Sequence, residues 1–226
     1  SLPFDPQRDL APVSAIATGS VLCVVNAETA AKNGWKDFPS LIAWARANPD
    51  QVRMGSSGTG TTSHLTIEAV KRATGARILH VPYRGGAPAI NDLLAGTIDM
   101  MFDVMPALMP HVESGRFRPL AVSSAGRLPI LPEVPGMRDF AALGLGDLDI
   151  QTWYAVMAPA GTPEPVVARL FAAVREVAAQ AEFAERLRPI GYTVVTSESP
   201  AALAARIREE TPRWERLVRI SGAQLD

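Results

Sequence analysis

Val52-Arg53-Met54-Gly55-Ser56-Ser57-Gly58-Thr59-Gly60-Thr61-Thr62-Ser63-His64-Leu65 decides how the chain is read. An apolar-leaning strand runs into a series of Gly, Ser and Thr, and a helix is expected from about Ser63. Glycines allow tight turns and let a ligand approach the main chain closely. The hydroxyls and the unpaired N–H groups of the new helix face the same way. A helix N-terminus carries roughly half a positive charge, so it attracts carboxylate or phosphate. The stretch reads as an anion cradle built from neutral groups, or as a capped turn with no ligand.

Working outward, the same strand–loop–helix pattern recurs. Strand Val52–Gly55 leads to a helix ending near Gly75, and strand Arg77–Val81 leads through Pro82-Tyr83-Arg84-Gly85-Gly86 to one ending near Gly96. Strand Ile98–Phe102 leads through Asp103-Val104-Met105-Pro106 to one ending near Gly115, and strand Pro119–Ser123 follows. Such alternation argues for βαβ units and a parallel sheet, with ligands outside the carboxyl ends of the strands. Three loops leave those ends: 56–62, 82–86 and 103–106. On the near side, Pro12–Ala17 and Val21–Asn26 read as two strands with Thr18-Gly19-Ser20 between them. A helix should start at Asp37, an N-cap, with Pro39 in its first turn and Leu41, Ile42 and Ala45 inward.

Beyond the block, Arg127–Gly146 is Pro- and Gly-rich, and Asp149–Ala158 is a strand. Thr162 is expected to cap a helix with Pro163 at its first position, a short helix covers Ala181–Arg188, and Tyr192–Val195 is a strand. Ser199-Pro200 opens a last helix, in which Pro212 removes a hydrogen bond and predicts a kink. The chain divides into residues 1–20, a compact αβ block 21–146, and a flank 147–226, with two crossings that suggest a hinge.

The totals exclude several functions. A formal net charge of −1 leaves no basic surplus for nucleic acid. No run of about 18 apolar residues spans a membrane. The single cysteine, Cys23, sits in an apolar run and reads as buried and structural. Thr61 stands where an NTPase loop needs Lys, and Gly58-Thr59-Gly60-Thr61-Thr62-Ser63 lacks the third glycine of the dinucleotide fingerprint. His64, His80 and His111 have no metal-ligand spacing, so neither a metal nor a cofactor is expected. His80 reads as a core or inter-strand residue, and His64 as a hydrogen-bonding support behind the loop. Asp103 either caps the next helix or meets a ligand. Tyr83 and Arg84 gain interest from their place on the second loop, and Trp153 from its place beside the return crossing. The set has donors and no convincing nucleophile–base pair, which points to binding rather than turnover.

Residues 55–65, then His80-Val81-Pro82-Tyr83-Arg84-Gly85-Gly86-Ala87-Pro88-Ala89, then Asp99-Met100-Met101-Phe102-Asp103 resemble the Bug family, the TctC-like periplasmic receptors of tripartite tricarboxylate transporters. Leu2-Pro3-Phe4-Asp5-Pro6, Asp9-Leu10-Ala11-Pro12-Val13-Ser14, Ala158-Pro159-Ala160-Gly161-Thr162-Pro163 and Ser221-Gly222-Ala223 extend the likeness over essentially the whole chain. The resemblance implies an α/β, type II periplasmic binding fold, a two-lobed "Venus flytrap" with a sheet flanked by helices in each lobe. It implies a periplasmic solute receptor that holds a small organic carboxylate (a di- or tricarboxylate, an amino acid or an aromatic acid), acts as a monomer, and delivers to membrane subunits without inserting itself. Carried onto this sequence, the ligand contacts are Ser56, Ser57, Gly58, Thr59, Gly60, Thr61, Thr62, Tyr83, Gly86 and Asp103, with His64, Arg84 and Trp153 behind them. Arg84 replaces the family's usual Lys, a modest change; Val104 replaces its usual Asn, which removes one polar pocket contact and bears on ligand choice. Family members begin earlier, with a strand, a Pro-Gly-Gly loop and a helix that supply the opposing jaw. Ser1-Leu2-Pro3-Phe4 therefore reads as the interior of a longer chain, and the stretch in hand is expected to keep all of lobe II, to lack the first βαβ units of lobe I and to bind weakly if at all. The alternatives are a sensor input domain of the same fold and an enzyme acting on a carboxylate through His64 or Asp103.

Overall fold

The structure, a computed structural model, describes residues 4–222. In chain order the elements are α1 (Pro6–Asp9), β1 (Leu10–Asn26), α2 (Ala27–Asn33), α3 (Phe38–Ala47), β2 (Val52–Ser56), α4 (Thr62–Thr74), β3 (Ile78–Pro82), α5 (Gly86–Ala95), β4 (Met100–Val104), α6 (Met105–Glu113) and β5 (Phe117–Val122). A 3₁₀ stretch (Met137–Leu143) precedes β6 (Gln151–Pro159), α7 (Glu164–Ala178), α8 (Ala181–Leu187), β7 (Tyr192–Val194) and α9 (Pro200–Ser221). The chain forms two compact units. One gathers the chain up to Gly19 with Thr152–Arg216; the other gathers Ser20–Gln151 with the chain from Leu217.

The second unit carries a mixed sheet in the order β3-β2-β4-β1-β5. β2 runs parallel to β3 and β4, while β1 runs antiparallel to β4 and β5. The all-parallel sheet expected from the alternation is corrected on this point. The return strand β1 comes from far upstream in the chain and inserts between β4 and β5, a pairing that local periodicity cannot show. The two separate strands expected before Asn26 are one strand of 17 residues, because Gly19 stays in the ladder opposite Tyr192 instead of turning.

The alternation of β1 sets two cores, one on each face. Val21, Cys23 and Val25 pack with Phe38, Leu41, Ile42, Met54, Ile67, Met100 and Phe102 under α3 and α4. Leu22 and Val24 pack with Ala89, Leu93, Met101 and Leu108 under α5 and α6. Phe102 is fully buried and meets the Phe38 ring edge-on at 6.4 Å. Burial of such a side chain contributes about 1.5–3 kcal/mol, which anchors β4 just before the third loop. Asp37 caps α3 as expected, accepting the Ser40 N–H at 2.8 Å in a reciprocal capping box.

In the first unit, Ala17, Thr18 and Gly19 of β1 pair antiparallel with Val194, Thr193 and Tyr192, and β6 also pairs with β1. Pro163 is the N-cap of α7, and the Thr162 hydroxyl donates to the Pro159 carbonyl at 2.7 Å instead of capping. α9 continues through Pro212 as one element. Among the described residues no helix is long and apolar enough to cross a membrane.

Candidate functional site

β2, β3 and β4 are in parallel register, Ser56 opposite Pro82 and Gly55 opposite Met101, so all three end at one edge of the sheet. The helices that follow, α4, α5 and α6, start at that edge with 13, 10 and 9 residues. Each N-terminus carries roughly half a positive charge, and three on one edge make a positive region without a cation. The loops are joined to one another. The Tyr83 N–H donates to the Ser56 carbonyl at 3.0 Å, and the Gly85 N–H to the Ser57 carbonyl at 3.2 Å. The Ser63 hydroxyl donates to the Phe102 carbonyl, tying the start of α4 to β4.

The first loop is held by its own polar groups. Gly58 and Gly60 have φ of 143° and 79°, which side-chain-bearing residues rarely adopt, so the turn depends on them. The Ser56 hydroxyl sits between the Gly58 N–H and carbonyl, and the Thr61 hydroxyl donates to the Gly58 carbonyl at 2.7 Å. Thr61 also caps α4 by accepting the His64 N–H. Among the described residues the N–H groups and hydroxyls of Ser57, Thr59 and Thr62 have no partner. These three residues are half-buried. They form an open set of uncharged donors at a helix N-terminus, the chemistry that takes an anionic oxygen.

Two histidines support this loop from beneath. His64 on α4 and His80 on β3 stack with centroids 3.9 Å apart and planes 12° from parallel. The Gly60 N–H donates to His64 Nδ1 at 3.1 Å, and His80 Nε2 lies 2.6 Å from the Ser56 hydroxyl. Accepting at Nδ1 places the His64 proton on Nε2, which is 3.8 Å from Glu68. Burial lowers the pKa of both rings. For His80, to about 4, His64 and Lys71 add to the effect; for His64, Glu68 partly opposes it. Both are therefore neutral at pH 7, and only a neutral His64 can hold Gly60. In the structure His64 Nδ1 accepts the Gly60 N–H; the sequence puts this residue behind the loop. The pairing of His80 with it was not legible there, because it needs the register that sets Met54 opposite His80.

Asp103 is the last residue but one of β4 and is 6% exposed. Its Oδ1 accepts the Val104 N–H at 2.7 Å, and its Oδ2 is buried without a partner. Burial pushes its carboxyl above the usual carboxylate range, against the Val104 bond. Gly86 lies against it: a Cβ there would come 3.0 Å from Oδ2.

Two expected residues are engaged elsewhere. The Tyr83 hydroxyl donates to Asp92 at 2.6 Å and is pushed up to about 12 by burial and that carboxylate, so the main chain of Tyr83 faces the loops and its hydroxyl is spent. Trp153 belongs to the first unit, where its indole N–H donates to Glu210 at 2.8 Å under the Arg206 guanidinium. Arg84 is exposed. Among the described residues no group of three His, Cys, Asp or Glu side chains is placed to share a metal ion.

A family model described as "Tripartite tricarboxylate transporter family receptor" matches residues 1–223. The "UPF0065 protein in tcbD-tcbE intergenic region" of Pseudomonas sp. (strain P51) is 36% identical over 217 residues, covering 96% of this chain and 62% of that protein. "Protein BugT" of Bordetella pertussis is 33% identical over 225 residues, covering 100% of this chain and 67% of that protein. Among solved structures, "R. palustris Rpa4515 with adipate" superposes with a TM-score of 0.88 at 32% identity, covering 99% of this chain and 72% of that one.

Proposed function

The chain belongs to the tripartite tricarboxylate transporter receptor family, and from that premise we propose that it acts as an extracytoplasmic receptor for a small organic carboxylate. One observation carries the reading: the open N–H and hydroxyl groups of Ser57, Thr59 and Thr62 sit at the start of α4, beside the uncapped starts of α5 and α6. Ser56, Gly58, Gly60 and Thr61 shape that loop, and Gly86 lines its neighbour. A hydrogen bond to a charged group contributes about 1.5–3 kcal/mol, so three give roughly 5–9 kcal/mol. Association costs about 4 kcal/mol or more. The carboxylate alone is thus held at about 0.2 mM at best, and the rest of the ligand sets the affinity. Uncharged donors suit a carrier, because they orient an anion without the strong, slow-releasing grip of a buried ion pair. The solved relative with adipate supports an aliphatic dicarboxylate as the first class to try.

We assign the chain a periplasmic, monomeric role that passes its ligand to the membrane subunits of such a transporter, without turnover. The Ser56–His80 pair invites an enzymatic reading. Ser56 is fully buried and its hydroxyl is held by the Gly58 main chain, which speaks against that reading. His64 Nδ1 is occupied by Gly60 and Asp103 is buried, so neither is placed as a base. A thermal-shift screen of adipate, malate, citrate, glutamate and benzoate tests the proposal. A ligand at a hundred times its Kd adds about 2.7 kcal/mol. Stabilisation by one class of acid, with the acid recovered unchanged, is the expected result. No shift from any acid at tens of millimolar, or conversion of an acid, contradicts it.

A further inference from the structure

At the third strand exit a buried acid and an open helix terminus meet. The Oδ2 of Asp103 is buried and without a partner, and it faces Gly86, the first residue of α5. That terminus is bare. Gly85 brings no capping side chain, Pro88 has no N–H, and the N–H groups of Gly86 and Ala87 have no partner among the described residues. The titratable groups on the surrounding elements are engaged elsewhere or exposed: on α4 Glu68 pairs with Lys71 at 2.7 Å and Arg72 is exposed, and Glu113 on α6 is exposed. Asp99, just before β4, is gripped by Arg53 of β2, with contacts of 2.8–2.9 Å, and Asp92 on α5 takes the Tyr83 hydroxyl. His64 and His80 stack with each other on the α4 side of the sheet. His111 on α6 lies against Phe117, Arg84 on the second loop is exposed, and β1 carries no charged residue. Asp103 is set by burial and by the Val104 N–H, which act in opposite directions, and burial prevails.

We propose that Asp103 and the ligand's carboxylate compete for this one helix terminus, the acid from beneath and the ligand from above, so that capture of the ligand puts a proton on Asp103. The inference rests on the carboxylate-receptor reading and adds its regulation. Two anions sharing one terminus in a partly dry site cannot both stay ionised cheaply. The fixed one is buried and already lacks a donor for Oδ2, so it is the one that takes the proton. That proton comes from hydronium or the buffer acid, whose bond to it breaks as the O–H bond at Asp103 forms. The site therefore favours fully ionised acids and binds them more tightly as pH falls.

The test is calorimetric titration between pH 5 and 8, in pairs of buffers with different ionisation enthalpies, using adipate or whichever acid in the screen stabilises most. The unaltered chain is compared with Asp103→Asn, which keeps the shape and cannot titrate. Proton uptake is expected in the unaltered chain, with Kd rising up to about tenfold per pH unit where the free form is ionised and the complex is not. Asp103→Asn loses that share of the uptake and binds several-fold more tightly than the unaltered chain at pH 8. The acid's own protons and those of the histidines are common to both and cancel. Equal proton counts in the two proteins overturn this inference and leave the receptor reading standing. So does weaker binding by Asp103→Asn at every pH, which makes Asp103 a direct acceptor. Absence of uptake by the unaltered chain overturns it whether or not the variant folds. Failure of both folded proteins to bind any acid removes the receptor reading as well.

Discussion

Replacing His64 by Phe separates the hydrogen bond under the first loop from the packing around it. The ring is 4% exposed and stacked on His80 at 3.9 Å, and Phe keeps both the burial and the stack. What it removes is Nδ1, the acceptor of the Gly60 N–H at 3.1 Å. Gly60 is half-buried, so water recovers part of the loss, and the expected destabilisation is about 1 kcal/mol. His64→Ala also opens a cavity beneath the loop, which brings the total to about 2–4 kcal/mol. The effect on binding is separate. Gly60 at φ 79° is no longer tethered, and the ligand must re-order about one residue at roughly 1–2 kcal/mol. Kd therefore weakens by about five- to thirtyfold in His64→Phe. Urea unfolding measures the first quantity, calorimetry the second, and exchange at the Gly60 amide shows whether the tether is gone. Unchanged exchange and unchanged Kd in a folded His64→Phe protein would refute the claim that this ring sets the loop.

Acid should destabilise the second unit through the same pair. Both rings titrate lower in the fold than in the unfolded chain, so their contribution is complete above about pH 6.5 and erodes as pH falls through the folded values. For His80, which titrates near 4, this amounts to on the order of 2 kcal/mol between pH 6.5 and 4. Stability measured against pH should flatten over that range in His80→Gln, and an equally steep profile in the variant counts against the assignment. Thr61→Val loses the α4 cap and the bond to the Gly58 carbonyl; about 1–2 kcal/mol of stability should go, with most of it restored by Thr61→Ser. Tyr83→Phe frees Asp92 without opening the loops, so stability should drop by about 1 kcal/mol while Kd stays within about twofold. A much larger loss of affinity would return the Tyr83 hydroxyl to the ligand.

The parts of this fold that follow from local chemistry were readable from residue order. Asp37 with Pro39 marks a helix start, and glycines at 75, 96 and 115 mark helix ends. The Gly-rich run from Gly55 announces a loop on a helix terminus. What local chemistry does not encode is partner choice. Thr18-Gly19-Ser20 looks like a turn until Tyr192 pairs with Gly19, and Ala27–Asn33, which forms α2, shows no apolar stripe. The antiparallel β1 in the middle of the sheet depends on contacts between distant segments. The same holds at the site. The loop donors and the support from His64 could be anticipated from spacing. The His64–His80 stack, the unpartnered Oδ2 of Asp103 and the diversion of the Tyr83 hydroxyl to Asp92 exist only once the strands are in register.

Amide chemical shifts followed during titration of the ¹⁵N-labelled chain with adipate give the most direct check on the neutral-donor cradle. Saturable movement should concentrate on the amides of Ser57, Thr59, Thr62 and Gly86, while Gly60, already bonded to His64, moves less. Saturation that leaves those four amides in place, with the movement centred on another part of the chain, would contradict it.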